Sequence, residues 1–333
     1  MNSGPEQAVS IVVNERSGRV DVRAGGDPFT SYVYDTTERV LAKPVLHPIR
    51  SPAGNRVTRG YPLDSRSGER TDHPHHVGHW LNYDPVNGVN FWANAGPETD
   101  ERWEPLGSIR HRDVVETTDG SGRGELVVRA DWVGPDGPLL REETEFVFRA
   151  FENNRTIDRR TTLTAVGGPV SFEDSKEGLF ALRVAAELEH PARDPITVVD
   201  DPTSGTTTEI AGTAGRTGEY LSGARVRGRD VWGTRAEWLR LAGEIDCDPV
   251  AVTIFDHPGN PGYPTYWMAR GYGLFAANPL GQAVYSDGES ELGLELGPNE
   301  SATFRYRMAI DERIPSPAEL DDRATEFNET YPE

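Results

Sequence analysis

Residues 124–134 read "GELVVRADWVG", and their alternation decides the fold class. Leu126, Val128, Ala130 and Trp132 occupy every second position, with Glu125, Arg129 and Asp131 between them. Successive side chains of an extended chain point to opposite faces, so the pattern predicts a strand with one face in a core and the other in water. "REETEFVFRA" at 141–150 repeats it, setting Phe146 and Phe148 against Arg141, Glu143, Glu145 and Arg149. "TFRYRMAI" at 303–310 does so again, with Phe304, Tyr306 and Met308 opposite Arg305 and Arg307. The segments "VSIVVNE", "RVDVRAG", "FALRVAAEL", "EWLRLAGEI" and "PVAVTIFDH" add further strands.

Many strands without an evident break predict an all-β chain: one large antiparallel β-sandwich domain over residues 1–333. Its 35 Gly and 25 Pro supply the turns that such a fold needs. One helix stands out, at about 316–331, where "SPAELDDRATEFNETY" offers Ser316 as N-cap, Pro317 at the first helical position and Glu319 to complete a capping box. Leu320, Ala324, Phe327 and Tyr331 then make an apolar stripe that would pack on the outside of a sheet. The Gly/Thr-rich stretch 201–220 reads either as a long surface loop or as a hairpin insertion.

A net charge of −20 argues against nucleic acid and anionic membranes as partners, because the phosphate term would be repulsive. No segment approaches the ~20 apolar residues of a membrane span, and no signal-peptide pattern opens the chain, so a cytoplasmic location is expected. The lone Cys247 allows no internal disulfide. Among 34 basic residues only Lys43 and Lys176 are lysines, which makes each conspicuous. Oligomeric state is not legible from the sequence.

Chemistry concentrates in four segments. "ERTDHPHHVGHWLNYDPVNGVNFW" at 69–92 places His73, His75, His76 and His79 within seven residues, beside Asp72, Trp80 and Trp92, although the chain has 8 histidines in all. If Asp72–Trp80 were extended, His73, His75 and His79 would share one face and His76 the other; Pro74 and Gly78 favour a strand edge or loop instead. Imidazoles titrate near neutrality and suit acid–base work, with Asp72 able to orient one of them. Alternatively, His73, His75 and His79 could ligate a divalent metal, although no HExxH or CxxC spacing is present.

"FDHPGNPGYPTYWMARGYGLFAANP" at 255–279 interleaves His257, Asn260, Tyr263, Trp267, Arg270 and Asn278 with turn residues, a mixture suited to sugars, whose ring faces stack on aromatics. "SFEDSKEGLFALRV" at 171–184 contributes Lys176 and Glu177, a candidate base beside a cation. "HPIRSPAGNRVTRGYP" at 47–62 contributes Arg50 and Arg59, which could grip a carboxylate.

Together these four motifs resemble the bacterial family often labelled "methane oxygenase PmoA-like", over about residues 40–310. The resemblance implies a supersandwich similar to galactose mutarotase and a setting in sugar catabolism; it brings no mechanism. The resulting expectation is a carbohydrate-active enzyme of the epimerase or mutarotase, lyase or glycoside-cleaving kind. Its acid–base set would be His73, His76 or His79 with His257 and Glu177. Arg50, Arg59, Asp72, Lys176, Asn260, Tyr263, Trp267, Arg270 and Asn278 would position a sugar, and Trp80 or Trp92 would stack on it. A metal-dependent enzyme and a sugar-binding protein without turnover are the alternatives.

Overall fold

The computed structural model describes residues 4–35, 41–94 and 106–331. Two large sheets dominate. The ten-stranded sheet runs, in spatial order, Tyr266–Ala269, Leu274–Asn278, Val170–Arg183, His79–Val86, Val45–Leu46, Asp27–Val33, Arg19–Ala24, Ala8–Asn14 and Gly120–Ser121, with Leu294–Leu296 added beside Val170–Arg183. The eight-stranded sheet runs Glu219–Ser222, Trp238–Ile245, Asp248–Asp256, Ser301–Asp311, Asn154–Ala165, Gly137–Ala150, Arg123–Gly134 and Ser108–Thr118. Their ladders are antiparallel, as the polar–apolar alternation requires of sheets with one wet face.

The inward-facing residues of both sheets form one core. Leu126, Val128, Trp132, Phe146, Phe148, Phe304 and Met308 from the smaller sheet meet Val20, Val22, Leu81, Tyr83, Phe180, Leu182 and Phe275 from the larger. The apolar positions of the opening stretch all face this layer, so the predicted sandwich is the observed one.

On the outer face of the eight-stranded sheet, Trp238, Phe255 and Ala309 are covered by Leu320, Ala324 and Phe327 of the helix Pro317–Thr330. Arg323 pins this helix by a double hydrogen bond to the buried Asp311 carboxylate, at 2.9 and 3.0 Å. The Ser316 hydroxyl accepts from the Glu319 N–H at 3.3 Å. The Glu319 side chain does not complete the box; it pairs with Arg313 and Arg323, where two cations outbid a single backbone N–H. Ser316→Ala should therefore cost about 1 kcal/mol, read as a lower urea midpoint at unchanged m-value.

Of the two readings of 201–220, the hairpin holds in part: Ile196–Asp201 pairs with Thr206–Ile210 as a small separate sheet, beginning before the polar stretch. No helix among the described residues is long and apolar enough to cross a membrane.

Candidate functional site

The outer face of the ten-stranded sheet carries a second apolar layer. Trp80, Ala181, Ala276 and Met268 lie in register across four adjacent strands. Alanines in the two middle places let rings settle close to the sheet, and half-buried Trp232, Tyr272 and Tyr285 pack over this row together with Trp92. The result is an aromatic platform whose upper edges remain in contact with solvent.

The histidine segment closes one side of the platform. It does not run as a strand: His76 N–H returns to the His73 carbonyl at 3.0 Å, and His73 and Gly78 both have positive φ, +44° and +58°. Glycine is required at 78, since a Cβ there would lie 2.2 Å from the Leu46 carbonyl oxygen. This turn brings His73 and His76 parallel, 3° apart with centroids at 4.8 Å. Tyr272 stacks on the outer side of His73 at 5.0 Å, and Trp80 lies beyond His76 at 5.3 Å. Tyr272, His73, His76 and Trp80 therefore form a four-ring stack, with His75 edge-on to His76 at 4.4 Å.

Charged groups hold this turn from below. Arg59, fully buried, donates to the carbonyls of Arg70, Asp72, His73 and His76 and to the Asp72 carboxylate at 3.0 Å. Arg183, also fully buried, reaches the same Asp72 oxygen at 2.6 Å and lies over the Tyr272 ring at 4.8 Å. Burial works to raise the Asp72 carboxyl, but His73, Arg183 and Arg59 outweigh it and hold it well below the usual range. Burial, reinforced by neighbouring cations and rings, keeps His75 and His76 neutral.

Lys43, the lysine that the charge bias singled out, is buried beneath the turn. Its ammonium donates to the carbonyls of Trp92 and His75 and to Asn94 Oδ1, at 2.9, 3.1 and 3.1 Å. Burial lowers it to about 7. Its three acceptors favour the charged form, so its role is to tie the histidine turn to the Trp92 segment.

Along the same face, Glu177 and Asp84 stand directly opposite each other on neighbouring strands. Residues so placed have Cβ atoms about 5 Å apart. Burial raises the Asp84 carboxyl, and Glu177 and Glu173 add to it against Lys176, bringing it to about 6. Lys176 pairs with Glu177 at 3.0 Å. Asn278 donates to the Ser175 carbonyl at 2.8 Å and so braces the chain just before them. Glu177 is close enough to act on the phenols of both Tyr272 and Tyr285. Arg270 acts on the same two phenols and lies over Trp232, 3.4 Å from the ring centre.

Residues 19–325 match the model of a protein family described as a family of unknown function, DUF6807. The chain belongs to that family. The match does not carry the PmoA-like label. No curated protein matches the sequence. Among solved structures, the galactosidase domain of an alpha-galactosidase–sucrose kinase, AgaSK, is similar at a TM-score of 0.42 and 8% identity, over 91% of this chain and 42% of that one. A protein of Escherichia coli K12 designated an aldose 1-epimerase gives 0.31 and 10%, over 92% and 99% of the two chains. The 4-alpha-glucanotransferase of Thermococcus litoralis gives 0.28 and 9%, over 93% and 40%. The DUF6807 chain thus spans less than half the length of the first and third. At such scores the likeness transfers neither activity nor substrate.

The expected site residues of this DUF6807 protein fall into two groups. Arg59, Asp72, His73, His75, His76, Trp80, Trp92, Lys176, Glu177, Arg270 and Asn278 gather on or beneath the outer face of the larger sheet. Trp80 and Trp92 are buried under the histidines, at 0% and 1% exposure, so they support the stack and offer no open wall; the part of the stack left exposed is the edge of His73 and Tyr272.

The others lie elsewhere. His79 begins its strand with the ring turned into the inter-sheet core, bonded to the Ala181 carbonyl and packed on Phe180. His73, His75 and His79 therefore do not converge as a ligand trio, and no group of three His, Cys, Asp or Glu among the described residues is placed to hold a metal.

His257 does not join the cluster. It follows a strand of the other sheet and packs against Phe327 and Tyr331 of the C-terminal segment, across the sandwich from His73. Asn260 ties Asp256 to the Arg305 backbone, and Tyr263 sits in the same loop, within reach of Glu237 and Asn328. Trp267 points into the inter-sheet core, donating to the Ala236 carbonyl. Arg50 lies on the outer face of the larger sheet but in a different cleft.

Five residues the sequence did not flag complete the site: Asp84, Arg183, Trp232, Tyr272 and Tyr285. Lys43 was marked only by its rarity.

Proposed function

We propose that this protein is an enzyme acting on a sugar or an oxidised sugar by acid–base chemistry on the outer face of the ten-stranded sheet. The observation that carries this is the Asp84–Glu177 pair: two opposed carboxyls, one held protonated to about pH 6, beside a half-exposed aromatic platform. A carboxyl that burial keeps protonated can give a proton where an ion-paired neighbour accepts one. Asp84, whose carboxyl burial raises to about 6, is the general acid; Glu177, salt-bridged to Lys176, is the general base. The exposed edges of Tyr272 and His73 on one side, and Trp232 with Tyr285 on the other, border the space for a sugar ring, while Arg270 and Lys176 supply donors for its oxygens. A set of this kind suits proton transfer at a ring carbon or at a glycosidic oxygen. Of the expected acid–base residues, Glu177 is retained and His257 and His79 are replaced by Asp84.

The sign of the pH dependence follows. Asp84 is protonated below about pH 6 and ionised above it, so kcat/KM should fall as pH rises through that value. In Asp84→Asn the limb should vanish from a lower plateau; a limb that persists unchanged in the variant would remove Asp84 from the acid role.

A further inference from the structure

A second site lies on the same face of the ten-stranded sheet, over the strands Arg19–Ala24 and Asp27–Val33. These are two to three strands from His79–Val86, or about 10–15 Å at ordinary strand spacing. Val20, Val22 and Ala24 face the inter-sheet core, so the alternate residues Arg19, Asp21 and Arg23 project outward. With Arg50, Arg56 and Asp64 they line a cleft of about 280 Å³.

The charges in this cleft do not balance. Asp21 is taken by Arg19 at 3.1 Å and by the Ser31 hydroxyl at 2.6 Å, and Asp64 is taken by Arg56. Among the described residues Arg23 and Arg50 have no carboxylate in ion-pair contact: Arg23 donates to the Gly26 carbonyl at 3.0 Å and Arg50 to the Gly54 carbonyl at 2.9 Å. Each guanidinium retains further N–H donors. Two guanidiniums without an ion-pair contact facing one cleft stand out in a chain of net charge −20. Burial lowers Arg50; Arg56 and Arg66 act in the same direction and Asp64 against them. Close by, His47 is 4% exposed with neither ring nitrogen hydrogen-bonded among the described residues, and the Arg56, Asp64 and Arg50 charges act on it.

We infer that this cleft is a binding site for a small oxyanion, the carboxylate of a sugar acid or a phosphate group, gripped by Arg50 and Arg23. Guanidinium forks match both groups bidentately, and the volume admits one monosaccharide-sized ligand. This inference does not depend on the acid–base reading above.

The test is calorimetric titration of the full-length protein at low ionic strength with glucuronate, inorganic phosphate and, as neutral control, glucose. Saturable one-to-one binding of glucuronate or phosphate, weakened at least tenfold in Arg50→Gln and by added salt, is the expected result, and the tighter of the two names the class. Arg23→Gln, at an exposed position, should weaken it at least threefold. Asp64→Asn, which frees Arg56, should tighten it, and Glu177→Gln should leave it unchanged. Failure of both anions to bind, binding equal to that of glucose, or affinity unchanged in Arg50→Gln and Arg23→Gln would overturn the inference.

Discussion

Asp72→Asn should lower the unfolding free energy by about 3 kcal/mol, the lower end of what is lost when a buried ion pair keeps one partner only. The carboxylate is the shared counter-ion of Arg59 and Arg183, both at 0% side-chain exposure. Asparagine keeps the shape and one acceptor but leaves two buried guanidiniums without their charge partner. Backbone carbonyls still solvate Arg59, and Glu189 acts on both arginines from farther away, which sets the loss at the lower end.

The pH behaviour gives an independent check. The folded-state pKa of Asp72 is depressed, so its contribution is fully present above the unfolded value of about 4 and is lost as pH falls toward the folded one. Urea unfolding at pH 7 and at pH 3 should therefore show the variant's deficit shrinking with acidity. A deficit under about 1 kcal/mol at pH 7 would mean that the arginines do not depend on this carboxylate.

Glu177→Gln should lower kcat by about 10²–10⁴-fold on any sugar the wild-type protein turns over, the usual worth of a positioned general base. KM should stay within a few-fold, because the amide still fills the place beside Lys176 and the platform of Tyr272, Trp232 and Tyr285 is untouched. Relieved of a negative neighbour, Asp84 should also titrate lower, since Glu177 is the second cause of its elevation after burial. The two readouts report different things: the Asp84 shift shows that the two carboxyls are neighbours, and the loss of kcat shows a base, since a residue that only supports the strand would affect stability and leave kcat near wild type. Saturable sugar binding with no turnover in the wild type would favour a non-catalytic binding protein.

The fold was legible where the signal is local. Leu126, Val128, Ala130 and Trp132 announce their common face by spacing alone, and the observed core contains all four. The helix after Ser316 was legible for the same reason. Part of the proposed site was also marked, since His73, His75, His76, Glu177 and Arg270 come from three of the four quoted motifs.

Parity failed where the chain turns. Counting alternate residues from Asp72 put His79 with His73, but the turn through Pro74 and Gly78 resets the count, and His79 starts its strand facing the core. His257 failed for another reason. Its motif looks like that of His73, yet the preceding strand joins the other sheet, and sheet membership is fixed by pairing between segments far apart in sequence. Asp84 was hidden likewise, because its meaning depends on register with Glu177 in a distant strand. Arg183 and Tyr272 carry no local mark of the roles they take in three dimensions.

The most direct test of the central claim, that the site lies on the outer face of the larger sheet, is a crystal structure of the Glu177→Gln protein. It would be soaked with the monosaccharide or sugar acid that most raises the wild-type melting temperature. The sugar ring is predicted to lie against Tyr272 and His73 or Trp232 and Tyr285, with an oxygen or ring carbon within hydrogen-bonding reach of Asp84 and Gln at position 177. A sugar seated in the loop around His257 on the opposite side of the sandwich, with this platform empty, would contradict the account.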